Sequence, residues 1–335
     1  MIYHFKVANA VPKDGSASYA EIACATDLPE PLVFRFVRHA MSNGIFDETP
    51  EGKVRHTPTS ELLATDQSVT DYVGFFIEEL SWASNNYVDA IKQYGASQEP
   101  TESPFSMANG SKAPLFEILK HHPERARRFV GTMQHLSSTD ASNVRHVFSG
   151  FDWASVDRPG AVMVDVGGGH GQVCKYLAGV TEHLKFEVWE LPYVVEKAKA
   201  NASPEFAERV DFVAHDFLTP HSGPPVDVIF IRWTLHNWSD KYVLLILRNL
   251  VPVLKNGSRV LIMDYILDEK PVKDVSGKPA LNMDLVMGVL LNSRERTTND
   301  FLKLFSTVDK RFVYKGTKHP KASNLSVLEM AWESE

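Results

Sequence analysis

The chain has 335 residues, 44% of them hydrophobic and 23% charged, a globular composition with enough length for two modest domains. Its 35 Lys and Arg are scattered among 42 Asp and Glu for a net charge of −7, which excludes a basic surface for nucleic acid or anionic lipid and favours a small or neutral ligand. The two cysteines, Cys24 and Cys174, have no metal-type spacing and cannot form a disulfide framework, which fits a reducing cytoplasm; no apolar run approaches the roughly 18 to 20 residues of a membrane span, so an unsecreted protein without a membrane segment is expected.

In chain order, AEIACATDL and EPLVFRFVRHAMSNG repeat apolar residues at helical spacing, and FDETPEGKVRHTP places a Glu-Gly turn between two short segments. That is a winged-helix pattern. Its second helix offers only Arg35, Arg38 and His39 to a nucleic acid, with Asp47, Glu48 and Glu51 close by, which argues against DNA binding. Residues 93–112, rich in Ser, Pro and Gly, read as a loop, and residues 124–149 read as a helical run. From Ala161 onward the apolar runs VMVDV, FEVWEL, VDFVAHDF, VDVIFIRW and RVLIMDYIL alternate with helical stretches, and LSVLEMAW closes the chain as a last strand. The expected architecture is α/β: a helical, winged-helix-like domain over residues 1–118, then a Rossmann-like, seven-stranded mixed sheet over residues 119–335.

The sharpest local signal is VMVDVGGGHG, a buried strand with Asp165 followed by glycines that include Gly167 and Gly169. Such a turn lets backbone approach a ligand closely. The acid precedes the glycines instead of following them by about 20 residues, which suits a cofactor with a cationic amino-acid end and not a pyrophosphate. Glu190 ends the next strand, where a carboxylate can accept both hydroxyls of a ribose. Asp216 and Phe217 follow the third strand, where an acid can accept from an exocyclic amine and a ring can stack on adenine. Two acids and no cation around the loop disfavour a dinucleotide.

After the fourth strand comes RWTLHNWSD, a histidine flanked by tryptophans at a strand's carboxyl end. With this motif, VDVGGGHG, ELP, HDF and the later RERT, the chain resembles the plant and fungal small-molecule O-methyltransferases typified by caffeic acid O-methyltransferase, over nearly its whole length. The resemblance implies a class I methyltransferase domain using S-adenosylmethionine. It also implies His236 as catalytic base, Asp264 in LIMDYIL as an acid orienting that base, and Glu295 in SRERT as a second acid on its other side. Arg232 stands near the cofactor, where the family often has Lys. Met133, Trp233, Asp284 and Met287 match substrate-lining positions, although Met283 and Met287, one helical turn apart, also suit a packed core. Family members interlock as homodimers through helices ahead of the winged-helix unit. Few residues precede Tyr19 here, so a homodimer is allowed but not required.

The chemistry agrees with these assignments. A sulfonium methyl is already activated, so the protein must align an acceptor oxygen and remove its proton. A phenol titrates at about 10 and a histidine at about 6.5, close enough for the imidazole to take the proton as the bond forms. The expected activity is therefore O-methylation of a phenolic or enolic hydroxyl on a small secondary metabolite, with no metal. The alternative is a relative of this fold that retains the cofactor as a fixed cation and catalyses a pericyclic reaction or dehydration. A filled His236 with both acids favours methyl transfer.

Overall fold

The computed structural model describes residues 1–201, 204–272 and 277–334, which fall into two units. The first unit comprises residues 1–82 and 116–137. It opens with a three-stranded sheet, β1 (Ser16–Ala17), β2 (Asp47–Glu48) and β3 (Val54–Arg55), in which β3 is central and pairs antiparallel with both neighbours. The helices Tyr19–Thr26 and Glu30–Met41 pack their apolar faces over it, and Ile22, Val33, Val37, Phe46 and Val54 form a small core. On the second helix, Arg38 lies 3.6 Å from Glu48 and over the ring of Phe34, so this cation is already engaged. The first helix begins with a reciprocal cap in which Glu21 N donates to Ser18 Oγ and Ser18 N donates to the Glu21 carboxylate. Ser18→Ala is expected to lower stability by about 0.5–2 kcal/mol in a denaturant titration, the usual cost of a lost N-cap.

The second unit comprises residues 83–115 and 138–335. Its strands are β4 (Val162–Val166), β5 (Lys185–Glu190), β6 (Val210–Ala214), β7 (Val226–Arg232), β8 (Leu254–Asp264), β9 (Ile266–Leu267), β10 (Arg296–Thr297), β11 (Phe312–Lys318) and β12 (Ser326–Trp332). Seven of them form one mixed sheet in the order β11-β12-β8-β7-β4-β5-β6, as the alternation of apolar runs and helices implies. The short β9 and β10 pair separately and in parallel. The central strands are buried on both faces because successive side chains point to opposite sides and helices cover each. Met163, Phe186, Val188 and Phe230 enter one core, with Leu177 behind them, while Val164, Ile229, Ile231 and Ile262 enter the other, with Ile246 and Leu304.

The topology places the site. From β4 the chain winds outward through β5 to β6, then returns to lay β7 on the other side of β4 and β8 beyond it, all in parallel. The order reverses between β4 and β7, the point in such sheets where a crevice opens beyond the carboxyl ends of the strands. Asp165, Glu190, Arg232 and Asp264 stand at the carboxyl ends of β4, β5, β7 and β8.

Two segments differ from the pattern their sequence suggests. The run at 124–149 is broken: one helix ends at Ser138, a short turn spans Asp140–Ser142, and a second helix covers His146–Gly150. The 93–112 stretch is not all loop, since it carries the helix Pro104–Ala108, capped by Ser103 accepting from Ser106 N.

Candidate active site

The turn after β4 is built for close approach. Gly167 has φ 71°, and a Cβ there would lie 2.9 Å from Thr234 Oγ1. Gly168 sits directly over the Asp165 carboxylate, 2.5 Å from a would-be Cβ. Gly169, also at positive φ, faces open space, and its amide donates to Glu190 Oε1 at 3.1 Å. The other Glu190 oxygen accepts from Leu191 N at 2.9 Å, so this carboxylate is fixed beside the glycines by main-chain donors. Burial outweighs those donors and raises the Glu190 pKa.

Asp165 lies deeper. It is 2% exposed, with Cys174 Sγ 3.8 Å from its Oδ2, and burial pushes its pKa to about 7, with Arg232 opposing and Glu190 adding to the rise. Asp216 is exposed and accepts from Leu218 N through Oδ1 at 2.9 Å, while Phe217 packs edge-on against Trp238. Arg232 stacks over Trp233 at 4.2 Å and donates through Nη2 to the Ser142 carbonyl at 2.6 Å, leaving its buried Nε without a partner among the described residues. A fixed carboxylate, glycine backbone facing open space and an unpartnered buried guanidinium N–H suit a ligand with a ribose and a carboxylate-bearing amino acid.

His236 sits in a single 3-10 turn, Leu235–Asn237, beyond the end of β7. Its ring is buried, and Nδ1 meets Glu295 Oε1 at 2.7 Å. Its own carbonyl accepts from Ser293 Oγ at 2.5 Å. Burial alone would lower the histidine's pKa, but the Glu295 and Asp264 carboxylates outweigh burial and the nearby Arg296 cation, so the pKa is raised. Glu295 is 1% exposed, and its backbone N–H donates to Asp284 Oδ1 at 2.8 Å. Asp284 thus supports the acid that supports the base.

Asp264 takes a different partner from the one the resemblance implies. Its Oδ1 accepts from Trp233 N at 2.7 Å, and its Oδ2 has no partner among the described residues. Trp233 has φ 51°, a left-handed conformation costly for a large side chain, and the Asp264 bond falls on this residue. Asp264 still lies close enough for its charge to act on His236, and burial pushes its own pKa to about 7. Met287 is 6% exposed, and Met283 packs partly buried into the same core cluster as Trp233. Met133 lies half-buried on the helix Pro123–Ser138 of the first unit.

Residues not singled out from the sequence complete the surroundings of the base. Arg296 is buried and bonded to the segment that carries His236, and Ser293 holds the His236 carbonyl. The signal lay in SRERT itself, where an arginine alternates with the acid at the start of β10.

Residues 87–309 match the family model described as an O-methyltransferase domain. The chlorophenol O-methyltransferase of Trichoderma longibrachiatum is 35% identical over 99% of this chain and 72% of its own length. Among solved structures, the mitomycin 7-O-methyltransferase MmcR has a TM-score of 0.81 at 22% identity, covering 99% of this chain and 92% of its own. A structure described as a pericyclic reaction enzyme has a TM-score of 0.79 at 20% identity, covering 98% and 83%. These last two likenesses establish the fold, and the family model with the fungal relative establishes more: the chain belongs to the family of S-adenosylmethionine-dependent O-methyltransferases.

Proposed function

We propose that the protein methylates a phenolic or enolic hydroxyl of a small secondary metabolite, with His236 as the general base. The observation that carries this reading is the buried 2.7 Å contact between His236 Nδ1 and Glu295 Oε1. With Glu295 ionised, Nδ1 bears the ring proton and Nε2 is left as the acceptor. The acceptor hydroxyl donates its proton to Nε2, and the imidazolium that forms is stabilised by the Glu295 carboxylate. A histidine whose pKa is raised is the stronger base toward a phenol of pKa about 10. The small halogenated phenol in the fungal relative's name belongs to this substrate class and serves as a first probe.

Glu190 would hold the ribose hydroxyls of S-adenosylmethionine, the Gly167–Gly169 backbone its amino-acid end with Asp165 beneath, Asp216 and Phe217 its adenine, and Arg232 the side facing the base. When bound, the cofactor supplies a methyl group already activated by a sulfonium. Trp233, Asp284 and Met287 are proposed to shape the acceptor's surroundings. On this reading residues 1–118 serve substrate enclosure and dimerisation, and residues 119–335 bind the cofactor and carry the chemistry.

Calorimetry with S-adenosylhomocysteine and with NAD tests the cofactor residues. Glu190→Ala is expected to weaken S-adenosylhomocysteine binding by about 1–3 kcal/mol, the cost of a lost hydrogen bond to a charged group. Unchanged affinity would place the ribose elsewhere, and tighter binding of NAD would overturn the assignment.

A further inference from the structure

Arg296 is 1% exposed. A guanidinium so deeply buried is strongly unfavourable unless its donors and charge are satisfied. Its Nε donates to Asp240 Oδ1 at 2.9 Å, and Nη2 lies 2.8 Å from the same oxygen. Nη2 also donates to the Trp238 carbonyl at 2.7 Å, while Nη1 donates to the Leu235 carbonyl at 3.1 Å. Leu235 and Trp238 bracket His236 on either side of the 3-10 turn. The planar fork of an arginine can reach both carbonyls and the carboxylate at once, which the point charge of a lysine cannot.

Asp240 is held in turn. Arg294 Nη2 donates to its other oxygen at 2.9 Å, and Arg294 Nη1 donates to Asp300 Oδ2 at 3.1 Å. Asp300 closes a reciprocal cap with Thr297 at the start of the helix Thr298–Val308. Asp240 itself opens the helix Asp240–Leu250, where the amide dipoles favour a carboxylate. The anchor therefore runs into two helix starts.

We propose that Arg296, seated on Asp240, is a positioning residue for His236, clamping the backbone on both sides of the base so that its ring stays against Glu295. Two consecutive residues then act on the base in different ways: Glu295 holds the imidazole, and Arg296 holds the turn that carries it. A misplacement of about 1 Å in such a site can cost roughly 100-fold in rate. The inference rests on His236 being the base, although the clamp is also visible without turnover.

The groups whose charge acts on His236 are Glu295 and Asp264, which favour its protonated form, and Arg296, which disfavours it. Arg296→Lys keeps the positive charge and loses the fork. If the clamp holds His236 on Glu295, loosening it weakens the carboxylate's support while burial persists, so the histidine should titrate at lower pH.

The test is nitrogen-15 NMR of the imidazoles, with His236 assigned by its loss in His236→Gln, alongside steady-state kinetics on a chlorophenol. Arg296→Lys should lower the His236 pKa, speed exchange of its Nδ1 proton and reduce kcat about 10- to 100-fold, with S-adenosylhomocysteine affinity kept. Asp240→Asn should reproduce these changes in milder form and stands in if Arg296→Lys does not fold. Asp240 lines a cavity of about 430 Å³, so guanidinium added to Arg296→Ala should restore part of the rate. An unmoved His236 titration and Nδ1 exchange in folded Arg296→Lys or Asp240→Asn would overturn the clamp. Full activity of His236→Ala would sink the base assignment instead, and the NMR arm would still decide the clamp.

Discussion

Replacing His236 with alanine is expected to lower the methyl-transfer rate about 10²- to 10⁴-fold, the usual contribution of positioned proton transfer, while leaving cofactor affinity nearly intact. None of the hydrogen bonds of Asp165, Glu190, Asp216 or Arg232 uses the imidazole. The loss should shrink as pH rises, because solvent can ionise a phenol of pKa about 10 without help. The wild type should show an acid limb. Only neutral imidazole accepts a proton, and the carboxylates raise the His236 pKa, so the rate should climb with pH through a midpoint above about 6.5. The same shift has a stability counterpart: a group whose folded pKa is raised stabilises the fold below its unfolded pKa, and that contribution fades as pH passes the folded value. A His236→Ala variant that methylates at the wild-type rate near neutral pH would show that the base lies elsewhere.

Glu295→Gln is expected to cost nearly as much, about 10²- to 10⁴-fold in kcat. An amide is nearly the same size, but it carries no charge to stabilise the imidazolium and can donate to Nδ1, favouring the tautomer in which Nε2 bears the proton and cannot accept one. Losing this carboxylate also removes the chief support of the raised His236 pKa, so the acid limb should move to lower pH. The direction separates an electrostatic partner from a packing residue: kinetics across pH with the limb unmoved and the rate retained would assign Glu295 to structure alone.

The sheet was legible because its strands declare themselves. A run such as VDVIFIR is buried at six consecutive positions, a pattern that belongs to a parallel strand covered on both faces. The glycine turn was equally plain, since only glycine tolerates the positive φ of Gly167 with Thr234 pressed against it. Helix boundaries were harder. The 124–149 run looks continuous, yet the chain turns after Ser138 and the Ser142 carbonyl accepts from Arg232, a contact with no local signature. The 104–108 helix did have one, a serine followed by proline at its start.

Partner choice within the site was the least readable layer. Whether Asp264 reaches the His236 ring or the Trp233 amide depends on a side chain's reach and a left-handed tryptophan, neither of which leaves a spacing pattern. Histidine partners are equally silent in the sequence. His146 Nε2 meets the Asp140 carbonyl at 2.7 Å, and His215 lies edge-on to the stacked pair Trp189 and His221. Arg296 was hidden for a related reason, because a charged residue between a buried acid and a helix start reads as surface until its carbonyl partners are seen.

The most direct test incubates the wild-type protein with S-adenosylmethionine labelled in its methyl group and a panel of small phenols, and follows S-adenosylhomocysteine and labelled product together. If His236 serves methyl transfer, the two appear in equal amounts, the label sits on a phenolic or enolic oxygen, and both fall in parallel in His236→Ala. Conversion of the acceptor with the label still on the cofactor and no S-adenosylhomocysteine formed would contradict it, and would mark the protein as one that holds the cofactor without transferring its methyl group.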